Sequence, residues 1–271
     1  MTRGGASEWA FFDMRTIDPM ANRPMYKGLH GWRQLCKAAE DPTQREGGPF
    51  QELPLLKHLT CNGDAEQVLL HDSILQLPSL ATPSECARLI AAADKWCDKE
   101  QWSSVALRRI ECHPDGINLD GDSHALAHII LSRALWNLEV LRPDVAAAVF
   151  PEPSDLCDLW FRFSGQEPML NRYTKGGIFE PHQDGHAITI LVPLSTHGVD
   201  FEGGGTAFWS ENAIGTDSTQ ARSCSPSLVM RPPPGTALLW RGHITHAGLA
   251  VTSGVRHVFV ASFDLRFPRI K

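Results

Sequence analysis

The chain has 271 residues, 42% of them hydrophobic, with 25 Lys and Arg against 31 Asp and Glu for a formal net charge of −6. That composition supports one sizeable core, and an acidic balance without any basic run argues against nucleic acid as the main partner. Seven scattered cysteines, odd in number and without a Cys-x-x-Cys pair, read as reduced thiols of a cytoplasmic or nuclear protein.

The N-terminus lacks a basic stretch followed by an apolar one, so no secretory signal is expected. No 18-residue apolar run occurs, so no membrane span is expected either. Residues 1–74 read as an N-terminal extension whose mixed pattern assigns it no fold. A short helix is expected near Trp32–Ala39, ended by Asp41-Pro42, and a loop at Glu46-Gly47-Gly48-Pro49. Thr82-Pro83-Ser84-Glu85 is a capping box with Pro at the first helical position, and the helix behind it puts Cys86, Leu89, Ile90 and Ala93 on one face. A second helix is expected over Ser123–Leu141, stopped by Arg142-Pro143. His124 and His128 are one turn apart in it, but its apolar setting offers no carboxylate or thiol partner, so they read as a helix face.

From Cys157 onward the chain is strand after strand between Gly and Pro turns. Helices first and antiparallel strands late give a mainly β fold with flanking helices. The expected core is a double-stranded β-helix, the jelly-roll or cupin-like architecture, in a domain over 75–271. Glu211–Ser227 is a polar loop long enough to be a substrate lid or a surface insertion.

The chemistry lies in His182-Gln183-Asp184, followed by His246 and, ten residues later, by Arg256. A lone His-x-Asp is weak. A second copy, His113-Pro114-Asp115, runs into Gly116 and reads as a turn. The copy at 182 is different, because Ile188–Val192 after it reads as a buried strand. In an extended segment, residues two apart share a face, so His182 and Asp184 reach one metal while Gln183 points away. Two His and one carboxylate on a β scaffold are the ligand set of a non-haem Fe(II) oxygenase, with open coordination positions. Downstream, Pro232–Gly235 is a turn, Thr236–Trp240 an apolar strand and His257–Phe263 another. Arg256 heads the face shared by Val258, Val260 and Ser262, and a buried guanidinium there needs an anionic partner. His186 is a candidate neighbour or substitute ligand, His243 reads as a strand-end residue and His197 as surface.

At these residues the chain resembles the iron- and 2-oxoglutarate-dependent prolyl and lysyl hydroxylases. The stretches that carry the likeness are Asn171-Arg172-Tyr173 to Pro181–Asp184, the glycine-rich Gly198–Phe208, Arg231–Leu239, and His246 to Arg256; Leu77–Trp96 adds a weaker match. Together they cover about residues 75–267. The resemblance implies that His182, Asp184 and His246 hold Fe(II). It implies that Arg256 pairs with the distal carboxylate of 2-oxoglutarate, that Tyr173 offers a hydroxyl to that co-substrate, and that Thr206 lines its pocket. Arg rather than Lys at 256, and Pro193 where prolyl hydroxylases often carry Tyr, tilt the match toward the lysyl side. The implied reaction consumes O2 and 2-oxoglutarate, releases succinate and CO2, and hydroxylates a C–H bond, with ascorbate as a candidate auxiliary reductant. A carboxylate at 184 favours hydroxylation over halogenation, since a small residue there would leave room for halide. The expected substrate is a prolyl or lysyl residue in a protein or peptide, or a small molecule. The alternatives are a nucleic-acid demethylase and a catalytically inactive binding module. The demethylases typically carry a second Arg six residues after the first, where this chain has Ser262, and the intact ligand set argues against an inactive module.

Overall fold

The computed structural model describes residues 15–18, 23–27, 51–52, 74–112, 119, 121–141, 143–150, 160–164, 167–210 and 218–266. The helix and loop expected near residues 32–49 and the His113–Asp115 turn lie outside these. Three short strands come first, β1 (Arg15–Asp18), β2 (Arg23–Lys27) and β3 (Gln51–Glu52), then β4 (Leu75–Leu77). Helix α1 (Pro83–Lys99) precedes β5 (Leu107–Glu111), and α2 (Gly121–Leu141) and α3 (Pro143–Val149) follow. The rest is β: β6 (Trp160–Phe163), β7 (Met169–Tyr173), β8 (Phe179–His182), β9 (Ile188–Pro193), β10 (Phe201–Gly203), β11 (Thr206–Phe208), β12 (Leu228–Met230), β13 (Ala237–Trp240), β14 (His246–Gly248), β15 (Val251–Gly254) and β16 (Arg256–Arg266).

The larger sheet runs β1-β2-β6-β16-β9-β13-β4-β3, with β7 also paired to β16 and β5 to β7. The smaller sheet runs β12-β11-β14-β8, and β10 pairs with β15. Every pairing of named strands is antiparallel, so the mainly β jelly-roll expected from the sequence is the observed fold.

Strand alternation splits the larger sheet into two functions. Ile188, Ile190, Val192, Leu239, Phe259, Ala261 and Phe263 face the helices and join one buried cluster with Leu89, Ala93, Ile130 and Leu135. Leu191, Leu238, Trp240, Val258 and Tyr173 face inward and join Phe208 and Phe201 of the smaller sheets in a second cluster. The helical side is built as the sequence suggests. Thr82 Oγ1 accepts from the Glu85 N–H while the Glu85 carboxylate accepts from the Thr82 N–H, closing the capping box. Arg133 of α2 then pairs with Glu85 at 2.9 Å, tying the two helices together. Cys86, Leu89, Ala93 and Cys97 form the buried stripe of α1. Among the described residues, no helix is long and apolar enough to cross a membrane.

Candidate metal centre and co-substrate cleft

Strand β8 ends on His182 and β14 begins on His246, and the antiparallel register sets these two residues opposite each other. Asp184 lies just beyond β8. The sequence suggested one extended face for His182 and Asp184. Instead the strand stops at His182, and Asp184 is placed by its own backbone N–H, which donates to the Gly242 carbonyl at 2.9 Å. Gln183 turns to Thr245, donating to its hydroxyl at 3.1 Å. Ligand atoms of His182, Asp184 and His246 all lie within 4.8 Å of one another. His182 Nε2 is 3.3 Å from Asp184 Oδ1 and His246 Nε2 is 3.5 Å from Asp184 Oδ2.

The protonation pattern suits a metal. His182 Nδ1 sits 2.7 Å from the Glu180 carbonyl and His246 Nδ1 3.0 Å from that of Ile244. A carbonyl only accepts, so each Nδ1 carries a proton and each Nε2 faces the centre, as a bare lone pair whenever the ring is neutral. Burial pulls His246 down to about 4, leaving its ring neutral at neutral pH. Burial also pulls on His182, but hydrogen bonding to Asp184 and to the Glu180 carbonyl leaves it raised. Burial pushes the Asp184 carboxyl up, yet hydrogen bonds with His182 and Thr189 and the charge of the two histidines hold it at about 2. Thr189 of β9 donates its hydroxyl to Asp184 Oδ2, orienting the carboxylate. Two imidazole nitrogens and one carboxylate converging from one side fit a divalent first-row metal such as Fe(II).

One cleft of about 420 Å³, its open mouth included, is lined by the triad together with Arg109, Glu167, Asn171, Tyr173, Phe179, Thr206, Trp240 and Arg256. Its inner end is closed. Arg256 heads β16 opposite Tyr173 of β7 and is 3% exposed. Its Nη2 donates to Thr206 Oγ1 at 3.0 Å and its guanidinium lies 5.3 Å from the Tyr173 ring. Among the described residues no carboxylate pairs with it. Gly204, at φ +56°, lets the chain pass close to Arg256, since a Cβ there would lie 3.3 Å from Arg256 Cδ. Gly248 leaves room for Tyr173, whose hydroxyl would lie 3.2 Å from an added Cβ. A buried, unpaired guanidinium beside two hydroxyls, facing a metal-type triad, fits a dicarboxylate whose far end needs a cation.

The mouth is more open. The His182 side chain is 31% exposed against 8% for His246. Arg109 pairs with Glu167 at 2.9 Å and lies 5.3 Å from the Phe179 ring. Glu167 is buried, and that burial leaves its carboxyl raised despite Arg109.

All six residues singled out from the sequence, His182, Asp184, His246, Arg256, Tyr173 and Thr206, line this one cleft. His186 does not join the triad. Its Nδ1 is 2.9 Å from Asp264 Oδ2, which also accepts the Ala187 N–H through its other oxygen. His197 and His243 are exposed. Residues 218–222 of the expected lid form a 3-10 helix, with Arg222 3.7 Å from Glu180 of β8. Arg109, Glu167, Asn171 and Trp240 were missed. Asn171 lies two residues before Tyr173, so strand periodicity alone could have found it. Trp240 was read only as the end of an apolar strand, and Arg109 carried no local signal.

No protein-family model matches the chain. Over 86 residues it is 35% identical to human procollagen-lysine,2-oxoglutarate 5-dioxygenase 1 and 36% identical to the mouse protein. It is 33% identical over 86 residues to the human multifunctional procollagen lysine hydroxylase and glycosyltransferase LH3. The matched stretch is 31% of this chain and 10% of those proteins. The chain therefore resembles Fe(II)/2-oxoglutarate dioxygenases of the lysyl hydroxylase type over that stretch, and spans only about a tenth of these relatives' length. Among solved structures it is similar to the viral collagen prolyl hydroxylase of Paramecium bursaria Chlorella virus-1, at 15% identity and a TM-score of 0.45 over 70% of this chain and 94% of that one. HygX from Streptomyces hygroscopicus is similar at 15% identity and a TM-score of 0.46, over 73% of this chain and 85% of that one.

Proposed function

We propose that this chain is an Fe(II)- and 2-oxoglutarate-dependent dioxygenase that hydroxylates a C–H bond. The observation that carries the reading is the pairing, in one cleft, of a convergent His182–Asp184–His246 triad with a buried Arg256 that lacks a carboxylate partner among the described residues. His182, Asp184 and His246 hold the metal, each histidine through Nε2. Arg256 takes the distal carboxylate of 2-oxoglutarate, with the Thr206 and Tyr173 hydroxyls beside it. The chemistry supplied by iron, O2 and 2-oxoglutarate when bound is oxidative decarboxylation to succinate and CO2, coupled to transfer of one oxygen atom into a substrate C–H bond. Thr189 keeps the Asp184 carboxylate turned toward the two imidazoles. Leu191 and Val260 contribute apolar lining to the cleft.

The substrate belongs to the same proposal: a prolyl or lysyl residue of a protein or peptide, or a small molecule, entering past Phe179 and Arg109. The test is incubation of the purified chain with Fe(II), O2 and 2-oxoglutarate, following succinate with and without panels of prolyl peptides, lysyl peptides and small molecules. Succinate formation that rises with one panel supports the reading and identifies the substrate class. No succinate from iron-loaded, folded protein under any panel overturns it.

A further inference from the structure

We propose that the indole N–H of Trp240 is a binding donor for a carboxylate oxygen of 2-oxoglutarate; this rests on the co-substrate reading above. Trp240 is 2% exposed, and its Nε1 has no hydrogen-bond partner among the described residues. A buried donor left unmade carries the full desolvation penalty of that group, so such atoms are rare in native proteins and call for an explanation. Trp209 shows the ordinary solution in the same fold, since its Nε1 donates to the Cys224 carbonyl at 3.0 Å.

Three observations direct the Trp240 donor toward a ligand. The residue lines the cleft beside His246, Thr206, Tyr173 and Arg256. The β13–β9 register sets Trp240 opposite Thr189, whose hydroxyl reaches Asp184, so both side chains stand on the metal side of the sheet. Edge-to-face packing against His246 at 4.8 Å and Phe208 at 5.2 Å holds the indole in place, away from solvent. A dicarboxylate brings acceptors only. It complements an orphaned N–H and an unpaired guanidinium together, which a substrate stopped at the exposed mouth cannot do.

The experiment uses the full chain loaded with Mn(II) in place of iron, without substrate. 2-Oxoglutarate is titrated by calorimetry and by the ligand-induced rise in melting temperature. Trp240→Phe keeps ring bulk and loses the donor. Its dissociation constant for 2-oxoglutarate should rise roughly 10- to 100-fold, the worth of a hydrogen bond to a charged group. Its metal-free melting temperature should stay level or rise, because an unmade donor has been removed. Trp240→His, which keeps a ring N–H, should recover part of the affinity. In the wild type loaded with diamagnetic Zn(II) in place of Mn(II), one of the eight tryptophan indole N–H signals should move downfield on adding 2-oxoglutarate and be missing in Trp240→Phe. Should Trp240→Phe not fold, the wild-type spectrum decides: one shifted and exchange-protected indole supports the contact, and none overturns it. An unchanged dissociation constant in folded, Mn(II)-binding Trp240→Phe also overturns it. Failure of the wild type to bind 2-oxoglutarate shows in the first titration, and sinks the co-substrate reading and this contact with it.

Discussion

Arg172 and Arg256 lie on neighbouring strands of one sheet, at 8% and 3% exposure, and differ in what surrounds them. Arg172 sits opposite His257 on the helix-facing side, donates to Asp94 of α1 at 2.7 Å and to the Ser103 carbonyl at 3.1 Å. One residue along each strand, Arg256 sits opposite Tyr173 on the cleft side and, among the described residues, donates to the Thr206 hydroxyl alone. Arg133 follows the first pattern, closed on Glu85. Isolated buried charge is expensive unless paired, so the chain completes its structural charges internally. Among the described residues Arg256 has no ion partner, and it lines one cleft with Asp184, which His182, His246 and Thr189 surround. The contrast marks the site without reference to any relative.

The strongest way to break that contrast is Asp184→Ala. If the carboxylate is there for a metal, its removal should abolish metal binding and succinate formation while the far-UV and near-UV circular dichroism stay native. Near wild-type turnover in this variant would assign the ligand role to another carboxylate or to His186.

Arg256→Ala comes next. It should weaken 2-oxoglutarate binding by about 2–5 kcal/mol, the range for truncating one partner of a buried charge pair. Arg256→Lys should fall between the two, because it keeps the charge but not the planar fork. Metal-free Arg256→Ala should melt no lower than the wild type, since the lost charge had no ion partner to leave behind. A large drop in melting temperature with unchanged 2-oxoglutarate affinity would move Arg256 into the same class as Arg172.

Arg172→Ala should show the mirror image. It should lower stability by about 1–3 kcal/mol through the unmade hydrogen bonds it leaves, with 2-oxoglutarate affinity little changed. Urea unfolding and calorimetry on the same preparation separate the two effects.

How much of this was legible beforehand follows from where the information sits. The convergence of His182, Asp184 and His246 and the place of Arg256 were readable because these residues keep local spacings and each borders an apolar strand run. The jelly-roll class was readable from the late succession of strands and turns. The capping box of α1 was readable because Thr82 and Glu85 are three residues apart. The partners of the charges were not. Asp94 reaches Arg172 across 78 residues and Arg109 reaches Glu167 across 58, and such pairings arise only once the sheet is assembled. Trp240 was hidden for another reason. Its apolar setting matched core, and only the register against Thr189 and its unpaired Nε1 set it apart. The end of β8 at His182 was also not visible, because it depends on Gly242 accepting the Asp184 N–H from a distant strand end.

The smallest expected effect concerns acid. Burial pushes the Asp94 carboxyl up, but hydrogen bonds and charge from His257 and Arg172 outweigh it and hold the group below its ordinary value of 3.8. A carboxyl depressed in the folded state adds stability that is complete above its unfolded value and is lost as the pH falls through its folded one. Asp94 therefore steepens the acid limb of stability below about pH 4 and does nothing at neutral pH beyond its fixed contribution. Its side chain is 40% exposed, so screening keeps the contribution modest. Asp94→Asn should lower the melting temperature slightly near neutrality and flatten the acid limb, while 2-oxoglutarate affinity holds, because Asp94 touches only the helix-facing side of β7 and β16. Melting curves from pH 3 to 7 for wild type and variant test this. An acid limb of the same steepness in both would show that the Arg172 side of the sheet is held by packing rather than by its completed charges.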